Sequence, residues 1–188
     1  HSDIAQAAVS QQFPNLGLHC SFGEDNVIKL PFHTDVTNVI LYHHENANGT
    51  GPFHKKWDET PLFARIIHLC DLLDVMCRAT SFTTDTWQRA NDLLLKINGS
   101  IADEECVHAF IQAFPEKHFL TLGDDDLDAR LWAKVPRIKQ DLNFTQIKSL
   151  ADFFAQIVDY KSPFTSTHSI GVAEHARKLS LFMGLEQK

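Results

Sequence analysis

The chain has 188 residues, enough for one medium-sized domain or for one domain and part of another. Hydrophobic residues make up 44% of it, which is sufficient for a folded core, and the formal net charge is −7. This charge argues against non-specific nucleic-acid binding, which needs a basic surface. No run of about 18 apolar residues occurs, so we predict neither a membrane-spanning helix nor a membrane contact.

The cysteines form no Cys-x-x-Cys pair and lie partly in an apolar segment, where a free thiol behaves as a small hydrophobic group. Their spacing predicts free thiols, a reducing compartment and therefore a cytoplasmic location. They are Cys20, Cys70, Cys77 and Cys106.

The sequence predicts an all-α protein, because apolar residues recur at helical spacing and no strand-like alternation is sustained. Thr34 and Ser100 are candidate N-caps, and Gly184 is placed to end the last helix. The helix beginning near Pro61 is apolar on almost every side and is expected to be the central buried helix. The predicted helices cover residues 3–13, 34–45, 60–78, 84–98, 100–114, 127–140, 146–160 and 163–183.

Two acidic residues, Asp71 and Asp74, interrupt this most hydrophobic helix, and Asp71 is the candidate site residue. A buried carboxylate is costly unless a cation, a hydrogen-bond network or a metal compensates it. His43 and His44 end the preceding predicted helix, and imidazole with carboxylate suits divalent iron, manganese or zinc. We therefore interpret the three residues as a metal site or a former one; the alternative is a buried Asp-His hydrogen-bond pair.

Residues 19–78 resemble the HD-GYP phosphodiesterases of the HD superfamily. Residues 43–52 read HHENANGTGP, similar to the family's HHE segment and the glycine loop that follows it. Residues 60–74 read TPLFARIIHLCDLLD, like the family's next helix, whose first Asp binds metal. Upstream, residues 19–24 and Leu30-Pro31 resemble its HPEIG helix and the LP that follows.

This resemblance implies a set of roles for the matching residues. His19, His43, His44 and Asp71 would bind divalent metal ions, iron or manganese first, although the metal could be missing from this fragment. Glu45 and Asp74 would support these ligands; in the alternative, Glu45 is a solvated helix end and Asp74 an acid on the helix face. Gly49 and Gly51 would shape the substrate loop at the mouth of the site.

A second resemblance lies near the other end of the chain. Residues 168–173 read HSIGVA, similar to a helix near the start of an HD-GYP domain, and this similarity implies that His168 is a further metal ligand. The order is inverted, since the end of one domain precedes the start of another. We interpret the chain as a fragment of a tandem protein; in the alternative, a permuted domain, His168 folds back onto the 19–78 site.

The chain departs from the family pattern at positions that matter for activity. No His-Asp dipeptide occurs, although that pair normally bridges the metals. The tyrosine of GYP is missing, because Gly51 is followed directly by Pro52, and Asn48 replaces the family's Asp. Phe164 stands where some relatives carry a glutamate that binds a third metal. No catalytic residue is assigned, and we expect the isolated chain to be inactive.

The prediction is an HD-domain-like helical bundle in three parts: the C-terminal half of an HD-GYP-like domain over 1–80, a helical connector over 81–147, and the first helices of a second unit over 148–188. The expected function is hydrolysis of a cyclic dinucleotide such as cyclic di-GMP in a bacterial signalling protein, with homodimerisation through exposed apolar faces. Two alternatives remain: a degenerate, non-catalytic module for signalling, dimerisation or nucleotide sensing, and a phosphohydrolase for other nucleotides or phosphate esters.

Overall fold

The computed structural model describes residues 15–77, 81–123, 125–159 and 163–185, and these residues are helical, as predicted. They contain isolated β-bridges, Asn48 with Lys56 and Asn98 with Ala102, but no strand. The α-helices are α1 (Leu16–Val27), α2 (Leu62–Cys77), α3 (Thr84–Ile97), α4 (Glu104–Ala113), α5 (Glu116–Leu120), α6 (Leu127–Lys134), α7 (Phe144–Asp159) and α8 (Pro163–Phe182). Single 3₁₀ turns lie at Trp57–Glu59 and Thr121–Gly123.

The described chain divides into two compact units. The first contains the described residues up to Ile28 together with Thr34–Lys139, and the second contains Lys29–His33 and the described residues from Gln140 onward. The predicted boundaries at residues 80 and 147 remain proposals, and the predicted helix over 3–13 lies outside the described residues.

The core of the first unit lies among α2, α3, α4 and the turn between α3 and α4. Apolar side chains at helical spacing face inward from each element and remove their surface from water. The buried cluster consists of Leu69, Leu72, Leu94, Ile97, Ile101, Ala102, Cys106 and Val107.

Side-chain caps fix the starts of several helices. Asn15 accepts a hydrogen bond from the amide of Leu18 at the start of α1, and Thr83 with Thr86 forms a capping box at α3. The prediction of Ser100 as the cap of the next helix was wrong. That helix, α4, is capped by Asp103, whose Oδ1 accepts from the amide of Cys106 at 3.0 Å.

Helix α2 starts and ends close to its predicted limits, but the prediction that it is buried all round was wrong. Ala64, His68, Leu69 and Leu72 face inward, whereas Leu62, Phe63, Ile66 and Ile67 are between 36% and 53% exposed. Hydrophobicity alone did not distinguish a helix surrounded by core from one with an apolar outer face.

The predicted helix over 34–45 was also wrong, because these residues form consecutive turns. Asp35 Oδ1 accepts from the amide of Thr37 instead of starting a helix, and Asn38 has a left-handed φ of 63°. The amides of Asn38, Ile40 and Leu41 donate to the carboxylate of Glu24. A side chain from α1 therefore replaces helical hydrogen bonds, and the sequence periodicity could not show this.

The second unit contains α7 and α8. Gly184 has a φ of 74° directly after α8, as its predicted role at the helix end requires. In the first unit, α6 ends at Lys134, six residues before its predicted limit. Among the described helices, none combines the length and hydropathy needed to cross a membrane.

The ion pair between Arg65 and Asp103, 3.1 Å from Nη1 to Oδ2, joins α2 to the start of α4. Burial by itself raises the pKa of Asp103, but hydrogen bonds from Cys106 and Arg65 hold that pKa below its ordinary value. A carboxyl pKa lowered by folding stabilises the protein at neutral pH, and this contribution is lost as pH falls through the folded-state pKa.

We predict that Asp103→Asn lowers the free energy of unfolding by about 2 kcal/mol at pH 7, because asparagine keeps the cap but loses the charge. Urea unfolding should show that this difference shrinks between pH 5 and pH 3 as the wild-type carboxylate is protonated. A difference that stays constant with pH would contradict the assigned role of the charge.

Candidate metal centre

Three histidines from two segments converge in the first unit. His19 lies on α1, and His43 and His44 lie at the end of the turn segment 34–45. One ring nitrogen from each lies within 4.8 Å of the others. The ring centroids of His43 and His44 are 4.0 Å apart, and each lies within 5.8 Å of the His19 ring. His43 and His44 are buried and His19 is exposed, so the cluster opens to solvent on one side.

The hydrogen bond of His43 indicates which nitrogen is available to a metal. Its Nδ1 lies 2.5 Å from the carbonyl oxygen of Ile40, so we assign the proton to Nδ1 as the donor. Nε2 is then the unprotonated nitrogen that can bind a cation. The Cys20 thiol also lies near this ring, with Sγ 3.9 Å from Nδ1. Burial and the charge of Glu45 raise the pKa of that thiol to about 11, which keeps it protonated at neutral pH.

Asp71 lies beside His44. Its Oδ2 is 3.7 Å from Nδ1 of His44, too far for a hydrogen bond but near enough for both atoms to face one ion. Nδ1 of His44 is buried and has no hydrogen-bond partner among the described residues. The expectation of a fully buried carboxylate was wrong, since the Asp71 side chain is 35% exposed. Burial nevertheless raises its pKa, opposed by His43 and His19 and reinforced by Asp74.

The two buried histidines are held in the neutral form that binds metals. Burial, together with charge repulsion from His43, His68 and His19, lowers the pKa of His44 to about 3. Burial also lowers the pKa of His43. A neutral imidazole needs no proton removed before it binds a cation, so this environment favours metal binding at neutral pH.

His68 is a member of this region that the sequence interpretation missed. It lies on α2, is buried, and contacts His44 edge-on with ring centroids 6.4 Å apart. Burial lowers its pKa to about 4, although the backbone of His43 and of Ile101 favours the protonated form. His68 lies three residues before Asp71 on the same helix, and residues at this spacing are neighbours on a helix surface. The sequence spacing could therefore have indicated His68.

Glu45 and the glycine loop form a second structural arrangement. The Glu45 carboxylate, which we expected beside the metal ligands, accepts from the amides of Phe53 and Lys55 at 2.5 and 2.7 Å. It therefore holds the loop that follows the histidines. A Cβ added at Gly51 would lie 2.7 Å from Cα of Glu45, which explains the glycine. Gly49 has a left-handed φ of 80°.

The two remaining predicted site residues lie outside the histidine cluster. Asp74 is exposed, one turn beyond Asp71 on α2, and its charge raises the pKa of Asp71. His168 lies at an exposed position of α8 in the second unit. The structure brings together His19, His43 and His44, with Asp71 at the edge of the cluster.

This donor set fits a divalent first-row metal ion. Three imidazoles and one carboxylate are a common ligand combination for such ions, and the buried Nδ1 of His44 has no hydrogen-bond partner in the part of the chain that the structure describes. The exposed side near His19 leaves room for water or a substrate oxygen, as a catalytic centre requires.

We predict that the metal-free protein loses stability in mild acid because of His44. Below pH 6.5 the unfolded imidazole is protonated while the folded one stays neutral, so the unfolded state binds more protons and gains stability. Lowering the pH from 7.5 to 5.5 should cost about 1 kcal/mol more in wild type than in His44→Gln. Urea unfolding in the presence of a chelator measures this, and equal losses in both proteins would contradict the assignment.

We predict that Gly51→Ala lowers the free energy of unfolding by about 1–3 kcal/mol, because the new methyl group would collide with the backbone of Glu45 and Asn46. Gly171→Ala is the matched control, since nothing lies within 4 Å of an added Cβ there. It should be neutral or slightly stabilising, as alanine favours a helix. Equal unfolding midpoints for the two variants would show that the loop tolerates the methyl group.

Comparison with known proteins shows which proteins this chain is similar to. Two curated relatives are from Vibrio cholerae serotype O1: 3'3'-cGAMP-specific phosphodiesterase 1 is 26% identical over 97% of the chain, and 3'3'-cGAMP-specific phosphodiesterase 3 is 29% identical over 86% of it. The chain spans only 44% and 36% of their respective lengths. The crystal structure of a cyclic GMP-AMP-specific phosphodiesterase from V. cholerae matches with a TM-score of 0.68 and 28% identity, covering 86% of this chain and 39% of that one.

The sequence profile of the HD domain matches residues 10–105, which contain all three clustered histidines and Asp71. This match confirms the predicted membership in the HD superfamily of metal-dependent phosphohydrolases. The chain belongs to the HD domain family.

Proposed function

We propose that this chain forms part of the metal centre of a phosphodiesterase that hydrolyses a 3',3'-linked cyclic dinucleotide. The observation that carries the proposal is the convergence of His19, His43 and His44, with Asp71 beside His44. Two curated relatives of this chain are named as 3'3'-cGAMP-specific phosphodiesterases. We therefore place that dinucleotide before cyclic di-GMP, the substrate that the sequence alone had suggested.

His19, His43, His44 and Asp71 would hold the metal, with iron or manganese as the first choices. When bound, such an ion lowers the pKa of a coordinated water and polarises the phosphate oxygen. The chain itself supplies the orientation: His43 is fixed by the bond from Nδ1 to the Ile40 carbonyl. Burial excludes water from the inner side of both adjacent rings, and the exposed His19 marks the side from which a substrate phosphate would approach.

Electrostatics supports a requirement for the cation. The chain carries a net charge of −7, and a cyclic dinucleotide carries two phosphate charges of the same sign. Long-range attraction to this chain is therefore not expected, and binding would depend on a local positive charge at the site. A divalent ion would provide that positive charge. The rings of His43 and His44 are neutral, so they would not cancel the charge of the bound ion.

The second candidate is a non-catalytic HD module that binds the dinucleotide or mediates signalling. It is favoured by one specific observation: no His-Asp dipeptide occurs in the chain, although the resembled family uses that pair to bridge its metals. Under this proposal, His43 and its neighbours would still bind a metal or a phosphate, but no turnover would depend on them.

The test combines metal content with turnover. Protein purified without chelator is analysed for divalent metals, and 3'3'-cGAMP hydrolysis is followed by chromatography in the 188-residue chain and in its full-length natural protein. We predict bound metal in both and turnover in the full-length protein, reduced at least about 100-fold by His43→Ala, since transition-state stabilisation by the metal is lost. The matched control is His175→Ala, an exposed histidine of α8, which should change neither quantity.

Turnover that persists unchanged in His43→Ala would contradict the catalytic proposal. Metal and dinucleotide binding without hydrolysis in the full-length protein would favour the non-catalytic module. Hydrolysis of simple phosphate esters but not of 3'3'-cGAMP or cyclic di-GMP would assign the centre to a different substrate class.

A further inference from the structure

Glu24 is a buried acidic residue on α1 that the metal centre does not use as a ligand. It is 8% exposed, and its carboxylate accepts three backbone hydrogen bonds from the turn segment 34–45. Oε1 lies 2.5 Å from the amide nitrogen of Asn38, and Oε2 lies 3.2 and 3.0 Å from those of Ile40 and Leu41. Charge-assisted bonds of this kind are about twice as strong as neutral ones.

The segment depends on such an external acceptor because it has no helix of its own. Asn38 adopts a left-handed conformation, which interrupts any regular backbone ladder at that point. The segment also lies unusually close to α1: a Cβ added at Gly23 would lie 2.6 Å from Cγ2 of Ile40. Gly23 thus permits the approach, and Glu24 supplies the polar contacts.

One peptide group links Glu24 directly to the histidine cluster. The amide of Leu41 donates to Oε2 of Glu24, and the carbonyl of the same peptide group, that of Ile40, accepts from Nδ1 of His43. A carboxylate at the amide end polarises the peptide and strengthens its carbonyl as an acceptor. The acceptor on Nδ1 in turn fixes the tautomer and orientation of the ring and raises the basicity of Nε2.

We propose that Glu24 is a positioning residue for metal binding: through the 40–41 peptide it orients His43 and sets the distance of His43 and His44 from His19. His19 lies on the same helix, five residues before Glu24, so one rigid element carries a ligand and the group that holds the other two. This inference rests on the proposed metal centre and identifies Glu24 as a residue that determines how tightly that centre binds its metal ion.

The variant Glu24→Gln tests the proposal because it conserves shape and removes charge. A carboxamide has one acceptor oxygen, and its NH₂ group would face amide N–H donors that need an acceptor. At least one buried amide would lose its partner, and the polarisation of the 40–41 peptide would disappear.

The matched control is Asp103→Asn, which alters another buried carboxylate that accepts a backbone N–H but lies at the start of α4. The probe is Co²⁺, titrated into the folded 188-residue protein, with its visible absorption and dissociation constant as readouts. We expect Glu24→Gln to weaken Co²⁺ binding by about 10- to 100-fold and to change the spectrum. Asp103→Asn should leave both unchanged. Equal Co²⁺ affinity in the two variants would overturn the proposal.

A metal-independent readout separates this proposal from the metal centre itself. In chelated protein, diethyl pyrocarbonate should modify the buried His43 and His44 at least 10-fold faster in Glu24→Gln than in wild type or Asp103→Asn. If wild type binds no Co²⁺, the proposed metal centre fails, and the histidine reactivity alone decides the role of Glu24: unchanged reactivity overturns that role.

If Glu24→Gln does not fold, Gly23→Ala provides the test, because it keeps the carboxylate but displaces Ile40. This variant should show the same weakened Co²⁺ binding and the same faster histidine modification. Wild-type behaviour of Gly23→Ala would overturn the proposal.

Discussion

The burial of two adjacent neutral imidazoles is the constraint on which the candidate centre depends. His43 and His44 are each less than a tenth exposed, and their ring centroids are 4.0 Å apart. Buried nitrogen atoms need partners, and His44 Nδ1 has none among the described residues. A metal ion between these rings and His19 would satisfy that requirement. The low pKa of His44, about 3, shows that protonation is a costly alternative.

Two buried carboxylates hold the backbone around this pair. Glu24 binds the amides that precede the histidines, and Glu45 binds those of the loop that follows. Neither carboxylate is a ligand in the observed cluster. Each accepts backbone N–H groups that would otherwise need partners in a helix or a strand. The close approaches at Gly23 and Gly51 serve the same arrangement. A Cβ at Gly23 would collide with the side chain of Ile40, and one at Gly51 would collide with the backbone of Glu45 and Asn46.

The sequence predicted the helical class from its apolar periodicity, and its resemblance to the HD-GYP phosphodiesterases implied that His19, His43 and His44 belong to one site. It did not predict the form of the 34–45 segment. The apolar spacing there is helical, but the amides find a carboxylate more than ten residues away in sequence, and local patterns carry no such information. His68 was missed although its position three residues before Asp71 on α2 indicated it, and its contact with His44 forms only when α2 packs against the turn segment. The exposed face of α2 was missed because hydrophobicity does not indicate which side of a helix is covered.

The central claim is that His19, His43 and His44 bind one divalent metal ion. Anomalous diffraction from crystals grown with Mn²⁺ or Fe²⁺, recorded at the absorption edge of the metal, tests it most directly. We predict an anomalous peak about 2.0–2.3 Å from one ring nitrogen of each histidine, with Asp71 within reach of the same ion. A structure of the metal-soaked protein with no anomalous peak among these three rings would contradict the account.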